Sequence, residues 1–490
     1  MNTKALRQKV LDLAIHGKLV PQNPNDESAT VLLEKIRAEK AEKIKKGELK
    51  ADKKDSFIFV GSDKRHYEQF ADGTVKDIED EIPFEVPDGW AWCRLGELFY
   101  HTTGKALKKS NNKGSLRKYI TTSNLYWNKF DFTEVREMYF TDDELDKCTI
   151  KKGDLVLCNG GDVGRAAIWN YNEDICYQNH VSRLRPKIEG INNSLYLYLL
   201  MFYKEQGMLN GKGVGITSLS ANDLLSAIFP LPPLNEQNSI VTSIENIFEQ
   251  IEHLDQEKSD LQTIIKQTKS KILDLAIHGK LVPQDPNDEP AEELLKRIAT
   301  SDNRPYEKID EDEALFDIPE SWSWCTLGEI YTHTTGKALK KTNNKGTLRK
   351  YITTSNLYWN SFDFTEVREM YFTDDELEKC TIKKGDLILC NGGDVGRAAI
   401  WNYDYDICYQ NHVSRLRPKN KNINNSFFLY VIMIYKQQGI LNGKGVGIIS
   451  LSASDLLSAV VPLPPYSEQN RIVEKIECLY GNLTIINNQL

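Results

Sequence analysis

The feature that most constrains this chain is a long internal repeat. The stretch HTTGKALKKSNNKGSLRKYITTSNLYWN begins at His101 and recurs from His333, 232 residues later, with two conservative changes. At this spacing the match runs from Pro87 and Pro319 to the motifs LPPLNEQ and LPPYSEQ. A repeat of domain size predicts two copies of one folded unit within the 490 residues.

A second match has a different spacing. LDLAIHGKLVPQNPNDE at Leu11 recurs as LDLAIHGKLVPQDPNDE at Leu273, 262 residues later. The additional 30 residues fall in a charged stretch between about Ala38 and Asp80 that has no second copy. We therefore expect an insertion in the first half only.

Each unit is followed by a predicted long helix. Asn235 and Ser467 follow Pro-Pro pairs and are predicted N-caps, each with a glutamate next to it in the first turn (Glu236 and Glu468). With Gly279 as its stop signal, the central helix is expected to span about 42 residues, roughly 63 Å. Its apolar residues follow heptad spacing: Ile240, Ile244, Ile247, Ile251, Leu254, Leu261, Ile265, Ile272 and Leu275.

The repeat is also cyclic. The C-terminal helix starts with the same stripe at Ile472 and Ile476, but the chain stops midway along it. The residues that match the missing half lie at the N-terminus: Leu6, Val10 and Leu13. We expect the two termini to lie close together and two long helices to pair antiparallel along their stripes. The alternative is that each helix packs only on its own domain.

The globular units between the helices are predicted to be mixed α/β domains. Runs such as RKYITTSNL, DLVLCNGG and RAAIWN alternate with Gly and Asn turns and indicate strands of a twisted sheet. NSLYLYLLMFYKEQG and its second copy indicate a helix. The predicted fold class is α+β, with two mixed α/β domains separated by a long antiparallel coiled-coil helix pair in a cyclic pseudo-two-fold repeat.

Domain boundaries follow from the two repeat spacings. The predicted segments are an N-terminal helix segment completing the distal coiled coil (1–20), a charged linker with the insertion (21–86), the first globular domain (87–234), the central long helix (235–282), a second linker (283–318), the second globular domain (319–466) and the C-terminal half of the distal helix (467–490).

Composition is that of an ordinary globular protein. Apolar residues make up 40% and charged residues 27% of the chain. The most apolar run, Phe427 to Tyr435, is half the length of a membrane span and is predicted to be a buried helix. The N-terminus lacks the apolar core of a signal peptide, so a cytoplasmic location is expected. The nine cysteines form no CxxC pattern, so buried free thiols are expected rather than disulfides or a zinc site.

Charge is unevenly distributed along the chain. The net charge is −8, yet His101 to Tyr119 contains six cations and no acid, and the acidic stretch from Phe130 to Asp146 follows. We predict that this basic segment contacts DNA phosphates and base edges, the alternative being a solvated loop. Its candidate contacts are Lys105, Lys108, Lys109, Asn111, Asn112, Lys113, Arg117 and Lys118, and in the second copy Lys337, Lys340, Lys341, Asn343, Asn344, Lys345, Arg349 and Lys350.

Three further motifs are candidate DNA contacts. GGDVGR presents an arginine after an apolar strand, where the alternative is a purely structural hairpin. YQNHVSRLRP offers polar side chains that could instead be satisfied groups at a strand end. NGKGVG is a glycine-rich loop with one cation, and its glycine spacing does not match a dinucleotide fingerprint. The candidates are Arg165, Gln178, Asn179, His180 and Lys212, and in the second copy Arg397, Gln410, Asn411, His412 and Lys444.

No catalytic machinery is visible in the sequence. LPPY at Leu463 is close to the adenine-methyltransferase tetrapeptide Asp/Asn-Pro-Pro-Tyr/Phe, but its first residue is wrong and the first copy reads LPPL. Walker A and acidic helicase motifs are also absent from the sequence. Neither a catalytic residue nor a metal site is therefore expected.

An ordered series of motifs carries a family resemblance. IKKGDLVLCNGGDVGRAAI, YQNHVSRLRP, YLYLLMFY and GITSLSANDLLSAIFPLPPLNEQNSIV, followed by a long helix, resemble the specificity subunit of type I restriction–modification enzymes. The series occurs twice, so the resemblance covers nearly the whole chain. It implies that each globular unit is a target-recognition domain reading one half of a bipartite double-stranded DNA site. It also implies that the helices act as a spacer and dock two methyltransferase subunits.

The same resemblance implies what the partners do. The methyltransferase subunits would flip and methylate an adenine in each half-site with S-adenosylmethionine, and restriction and translocase subunits would use ATP and Mg²⁺. This chain itself is expected to bind no cofactor and no membrane. Two near-identical domains predict an interrupted palindromic site. The rival hypotheses are a coiled-coil scaffold that does not bind DNA and a stand-alone DNA methyltransferase or nuclease.

Overall fold

The structure, a computed structural model, describes residues 2–48, 55–107, 113–209, 218–339, 345–441, 443 and 450–490, with residue 311 described by its backbone alone. The chain divides into two compact units, Met1–Gln256 and Glu257–Leu490. Within the described ranges, none of the helices combines the length and the apolar character that crossing a membrane requires.

The first unit contains both helices and short strands. Its helices are α1 (Thr3–Ile15), α2 (Ala29–Lys45), α3 (Leu95–Leu98), α4 (Asp142–Cys148), α5 (Asn193–Glu205), α6 (Ala221–Leu225) and the first part of α7 (Leu234–Ile277). Its strands are β1 (Ser56–Val60), β2 (His66–Phe70), β3 (Val75–Asp77), β4 (Ala91–Arg94), β5 (Phe99–Thr103), β6 (Ser115–Ile120), β7 (Leu125–Tyr126), β8 (Lys129–Phe130), β9 (Arg136–Phe140), β10 (Thr149–Ile150), β11 (Leu155–Cys158), β12 (Ala166–Ile168), β13 (Ile175–Tyr177), β14 (Val181–Pro186) and β15 (Ile228–Leu231).

Two four-stranded sheets form the centre of this unit. One has the order β12-β11-β14-β5 and is antiparallel throughout. The other has the order β10-β13-β6-β9, in which β13 runs parallel to β6. The remaining strands form the three-stranded sheet β1-β2-β3 and the pairs β15-β4 and β7-β8. The prediction of a mixed α/β domain is confirmed, although two sheets replace the single sheet that we expected.

Strand β11 shows why the layers stack in this way. All four of its residues are buried, and successive strand side chains point to opposite faces. Leu155 and Leu157 therefore share a core with the apolar helix α5, whereas Val156 and Cys158 share a second core with Tyr177 of the other sheet. The apolar run is thus sandwiched between the helix on one side and the second sheet on the other.

The second unit repeats this arrangement. Its helices are the remainder of α7, α8 (Ala291–Ser301), α9 (Leu327–Ile330), α10 (Asp374–Lys379), α11 (Asn425–Gln437), α12 (Ala453–Leu457) and α13 (Tyr466–Gln489). Its strands are β16 (Ser323–Thr326), β17 (Tyr331–Thr335), β18 (Thr347–Ile352), β19 (Leu357–Tyr358), β20 (Ser361–Phe362), β21 (Arg368–Phe372), β22 (Thr381–Ile382), β23 (Leu387–Cys390), β24 (Ala398–Ile400), β25 (Ile407–Tyr409), β26 (Val413–Pro418) and β27 (Val460–Leu463). The sheets β17-β26-β23-β24 and β21-β18-β25-β22 match those of the first unit, and α11 confirms the predicted buried helix.

The segments expected to be linkers are partly folded. Helix α2 begins after the N-cap Ser28, and α8 is its counterpart in the second unit. The insertion adds the sheet β1-β2-β3, whose Ile58 packs in a small core with Trp92. An ion pair of 2.6 Å between Glu68 and Arg94 fastens the sheet to the unit. The many charged residues of this stretch therefore led us to predict a linker where the chain forms a small sheet.

The long helix α7 spans 44 residues, close to the predicted length. The predicted N-caps are wrong by two residues, because α7 begins at Leu234 and α13 begins at Tyr466 after the N-cap Pro465. The stop signal is confirmed, since Gly279 follows the helix with φ of +65°. The apolar stripe is buried at Ile240, Ile244, Ile251, Ile265 and Ile272, whereas Leu254 is 43% exposed.

Candidate nucleic-acid interface

The basic segment and the YQNH motif lie side by side in the first unit. The backbone N–H of Lys105 donates to the carbonyl of Tyr177 at 3.0 Å, and the N–H of Asn179 donates to the carbonyl of Lys105 at 3.0 Å. Lys105 is the second residue after β5. These bonds place it against the end of β13. Two motifs more than 70 residues apart in the sequence thus share one edge of the domain.

The GGDVGR motif joins the same cluster. The backbone N–H of Asn159 donates to the carbonyl of His180 at 3.0 Å, which places the GGDVGR turn beside the YQNH motif. The carbonyl of Asn159 accepts from the backbone N–H of Leu219 at 2.8 Å, and Gly160 forms a β-bridge with Ser218, three residues after the last glycine of NGKGVG in the sequence. The structure therefore brings three of the predicted motifs together, whereas NGKGVG itself lies outside the described residues.

Lys105 is held inside this cluster. Its side chain is 8% exposed, and its Nζ donates to Glu144 Oε2 at 2.5 Å and to the carbonyl of Tyr139 at 2.7 Å. Lys337 makes the equivalent bonds to Glu376 at 2.6 Å and to the carbonyl of Tyr371 at 2.7 Å. Because a buried, paired ammonium group cannot also reach a phosphate, we remove both lysines from the proposed contacts and assign them a structural role.

Arg117 and Lys118 remain available to a ligand. Both side chains are exposed on β6, in a stretch where four successive residues from Ser115 are exposed. Arg349 and Lys350 have the same exposed positions on β18. Lys113 and Lys345 are also exposed and lie directly before these strands. Because successive strand residues point to opposite faces, each strand offers an exposed cation on both of its faces, and such cations are suited to contact phosphates.

The GGDVGR arginine is partly committed within the domain. Arg165 Nη2 donates to the carbonyl of Thr122 at 2.6 Å, its Nη1 lies 3.3 Å from Asp162, and its guanidinium lies over the Tyr126 ring at 5.0 Å. Arg397 makes the equivalent contacts in the second unit. These contacts fix the position of each arginine side chain. DNA contact by the two arginines stays a prediction, and it requires one guanidinium nitrogen to leave its present partner and bind DNA.

The YQNH side chains differ in accessibility. Gln178 and Asn179 are half-buried, whereas His180 is exposed. The imidazole of His180 rests against Gly160, where a Cβ would lie 2.8 Å from its Nδ1. The glycine therefore makes room for the histidine at the surface, and Gln410, Asn411 and His412 repeat this pattern.

Several predicted contacts cannot be placed, because they lie outside the described residues. These are Lys108, Lys109, Asn111, Asn112, Lys212, Lys340, Lys341, Asn343, Asn344 and Lys444.

Buried polar groups support the cluster from below. Arg183 is 6% exposed and donates through Nη1 to the carbonyl of Thr149, directly after the C-terminal end of α4, where a helix dipole favours a cation. Burial, followed by the charge of Arg183, lowers the pKa of His101. Burial also raises the pKa of Tyr177 to about 12. These groups keep one charge state near neutral pH and hold the sheets in register.

Sequence reasoning missed the partner strand of the cations. β9 pairs antiparallel with β6, and its Arg136 and Glu137 are exposed. REMYF has two charged residues followed by three apolar or aromatic ones, so it lacks the alternation that indicates a half-buried strand, and β7 and β8 separate it from RKYI in the sequence.

No group of three His, Cys, Asp or Glu side chains that could hold a metal ion occurs in the part of the chain that the structure describes. All nine cysteines are free, and eight of them are buried. Burial raises the pKa of the Cys93 thiol well above its usual value, so this group is unreactive. The interpretation of the cysteines as buried thiols is confirmed for those eight.

Residues 87–263 and 319–490 match the family model of the type I restriction modification DNA specificity domain. The two matches cover most of both units, and they include every described residue of the clusters above. The chain belongs to this family. It is accordingly a DNA-specificity component of a type I restriction–modification system, a recognition subunit rather than a catalytic one.

Individual relatives agree with this assignment. The EcoAI specificity subunit of Escherichia coli is 27% identical over 561 aligned positions, covering 97% of this chain and 88% of the relative. The EcoEI specificity subunit of Escherichia coli is 28% identical and covers 67% of this chain and 61% of the relative. The crystal structure of the HsdS subunit from Thermoanaerobacter tengcongensis has the same fold, with a TM-score of 0.54 at 17% identity over 84% of this chain and 93% of that one.

Proposed function

We propose that each unit binds one half of a bipartite double-stranded DNA site through its motif cluster. The observation that carries this proposal is the convergence of three sequence-distant motifs, the basic segment, GGDVGR and YQNHVSRLRP, beside exposed cations at Arg117 and Lys118. The second unit has the same arrangement, with Arg349 and Lys350. Phosphate contacts would position each unit, and polar side chains would read base edges.

The site that we propose is an interrupted palindrome. Every described candidate contact in the first unit has an identical counterpart in the second. Other exposed residues do differ: Glu173 corresponds to Tyr405, and Lys129, whose Nζ lies 5.9 Å from the centre of the Tyr126 ring that Arg165 also covers, corresponds to Ser361. Identical surfaces recognise identical half-sites, and units related by a two-fold axis would meet them on opposite strands.

The proposal includes a cyclic, pseudo-two-fold coiled coil built from α7 and the two terminal helices. Contacts inside each unit support packing of α7 against a terminal helix. In the first unit, Arg7 of α1 lies 3.6 Å from Glu252 and over the Phe248 ring of α7. In the second unit, Tyr480 Oη of α13 donates to the carbonyl of Lys269 at 2.9 Å.

The long helices are proposed to dock two methyltransferase subunits, which supply S-adenosylmethionine chemistry. Restriction and translocase subunits with ATP and Mg²⁺ would complete the assembly. A chain similar to this one, with a TM-score of 0.58 at 18% identity, belongs to a structure of the complex assembly and conformational transition of the type I R-M system. A cytoplasmic location belongs to the proposal, and the eight buried free thiols support it because reduced cysteines are usual there.

Neutralising the exposed strand cations tests DNA binding. Arg117→Gln, Lys118→Gln, Arg349→Gln and Lys350→Gln, combined in the complex with its methyltransferase, should weaken specific DNA binding by at least about tenfold at moderate salt. The salt dependence of log K should flatten by about one for each phosphate contact that is lost. Fluorescence anisotropy across a salt series measures both quantities.

The control for this test removes exposed cations at the other end of β11 and β23. Lys151→Gln with Lys383→Gln should leave affinity and salt dependence unchanged. Unchanged DNA affinity in the fourfold variant would favour the scaffold that does not bind DNA.

A further inference from the structure

Strand β6 pairs with β13 only at Tyr119 and Ile120, so its first four residues and β9 form an exposed two-stranded ribbon at the end of the four-stranded sheet. Its register places Lys118 opposite Glu137 and Leu116 opposite Tyr139. Residues directly opposite in an antiparallel pair project from the same face, with Cβ atoms about 5 Å apart. Leu116 is 51% exposed, so this face of the ribbon is open at its outer end. A two-stranded ribbon has the width that the major groove of B-DNA admits.

Lys118 and Glu137 face outward without partners. Both side chains are exposed, and neither forms a hydrogen bond or an ion pair with another described residue, even though they stand opposite each other. Lys350 and Glu369 have the same register, exposure and lack of partners among the described residues of the second unit. The duplication therefore preserves a donor and an acceptor side by side at one position on each ribbon.

The carboxylate is unexpected on a surface meant for DNA. Lys118 stands opposite Glu137 on the same face, and Arg117 and Arg136 project from the other face of the ribbon. A carboxylate near phosphates is repelled unless it accepts hydrogen bonds from a base amino group. The major-groove edge of a G·C pair offers such a donor at cytosine N4, next to the guanine O6 and N7 acceptors that a lysine ammonium matches.

We propose that Lys118 and Glu137 together read one G·C pair in the half-site of the first unit, and that Lys350 and Glu369 read the symmetry-related pair in the other half-site. Glu137 accepts from cytosine N4, and Lys118 donates to the guanine. These residues determine specificity, whereas the neighbouring cations contribute affinity. The inference rests on the proposed function, because it requires the ribbon to enter the groove of a recognised site.

Sequencing of modified bases tests this proposal in the intact complex with its methyltransferase. The wild-type complex should methylate a motif with a G·C pair at one symmetric position of each half-site. Glu137→Gln alone should reduce discrimination against A·T by about tenfold at that position in one half-site only. Lys118→Gln should reduce specificity at the same base pair. Combining Glu137→Gln with Glu369→Gln should make the motif symmetric again, with both positions degenerate.

The matched control is Glu134→Gln, which removes an exposed charge before β9 and should leave the motif unchanged. Unchanged motifs for Glu137→Gln and Lys118→Gln in folded complexes, or relaxation at different base pairs, would overturn this inference. If instead the wild-type complex methylates no defined motif, the proposed function itself fails. Thermal unfolding of each variant separates a lost contact from a lost fold.

Discussion

At the scale of single residues, the ion pair between Lys105 and Glu144 shows how the edge of each unit is held. Lys105 comes from the end of β5, and Glu144 lies in the first turn of α4. Glu144 Oε2 also accepts from the backbone N–H of Thr141 at 2.9 Å, so one carboxylate caps the helix and neutralises the lysine. The side-chain hydrogen bond from Lys105 lowers the pKa of Glu144.

Glu144→Gln together with Glu376→Gln should destabilise each unit by about 2 kcal/mol, because it leaves a buried ammonium without its charge partner. The effect depends on pH. Because the pKa of Glu144 is lower in the folded than in the unfolded state, its ionised carboxylate stabilises the fold at pH values above the unfolded-state pKa. This contribution is lost as the pH falls through the lower, folded-state pKa. The wild type should therefore lose stability on acidification more steeply than the variant. Urea denaturation from pH 7 to pH 3 measures the difference.

Asp143→Asn with Asp375→Asn provides the control, because it removes an exposed charge from the same helix turn. That control should change stability by less than about 0.5 kcal/mol. An equal loss in both variants would contradict a specific role for the pair.

The sequence could identify Lys105 as one of a run of cations but could not show its burial. Its partner Glu144 lies 39 residues away, in the stretch that sequence reasoning classed as acidic surface. Pairing between the two depends on the position of α4 against β5, which local composition does not encode. The same limit applies to Arg165, whose acceptor at Thr122 lies 43 residues earlier.

At the scale of elements, the junction between Gly114 and β9 sets where the exposed ribbon starts. Gly114 has φ of +102°, and a Cβ there would lie 2.0 Å from the carbonyl oxygen of Phe140. The strand pair therefore requires glycine both for its backbone conformation and for close approach. Gly346 has the same φ, and a Cβ there would lie equally close to the carbonyl oxygen of Phe372.

Gly114→Ala with Gly346→Ala should destabilise each unit by about 3 kcal/mol or more, because backbone atoms must shift to admit the methyl group. Gly153→Ala with Gly385→Ala is the matched control. Both control glycines also have positive φ, but no atom lies within 4 Å of the added Cβ. The control should cost only about 1 kcal/mol per unit, and thermal unfolding compares the two variants. Equal losses would show that the close approach to β9 has no energetic role.

Element types were largely predictable, but their pairing was not. The apolar runs of α5, α7, α11 and β11 indicated their structures directly, because burial follows periodicity. The division of each unit into two sheets, with β13 parallel to β6, depends on contacts between distant segments. The sheet in the insertion was not predicted for a different reason. Its charged residues outnumber the few apolar residues that pack it against the unit, so the segment resembled a linker.

At the scale of the whole molecule, the duplication determines the symmetry of the proposed target. The candidate DNA-contacting cations that the structure describes are identical in the two units, and so are the YQNH side chains and the ribbon pair Lys118 and Glu137. Two units of different sequence would recognise two unlike half-sites. Because these units are almost the same, the account requires one half-site sequence to occur twice, once on each strand.

Sequencing of the bases methylated by the complex of this chain with its methyltransferase tests that requirement most directly. The account predicts a bipartite motif whose two specified parts are reverse complements, separated by an unspecified spacer, with one modified adenine on each strand. A bipartite motif with two unrelated halves, or an uninterrupted motif, would contradict it.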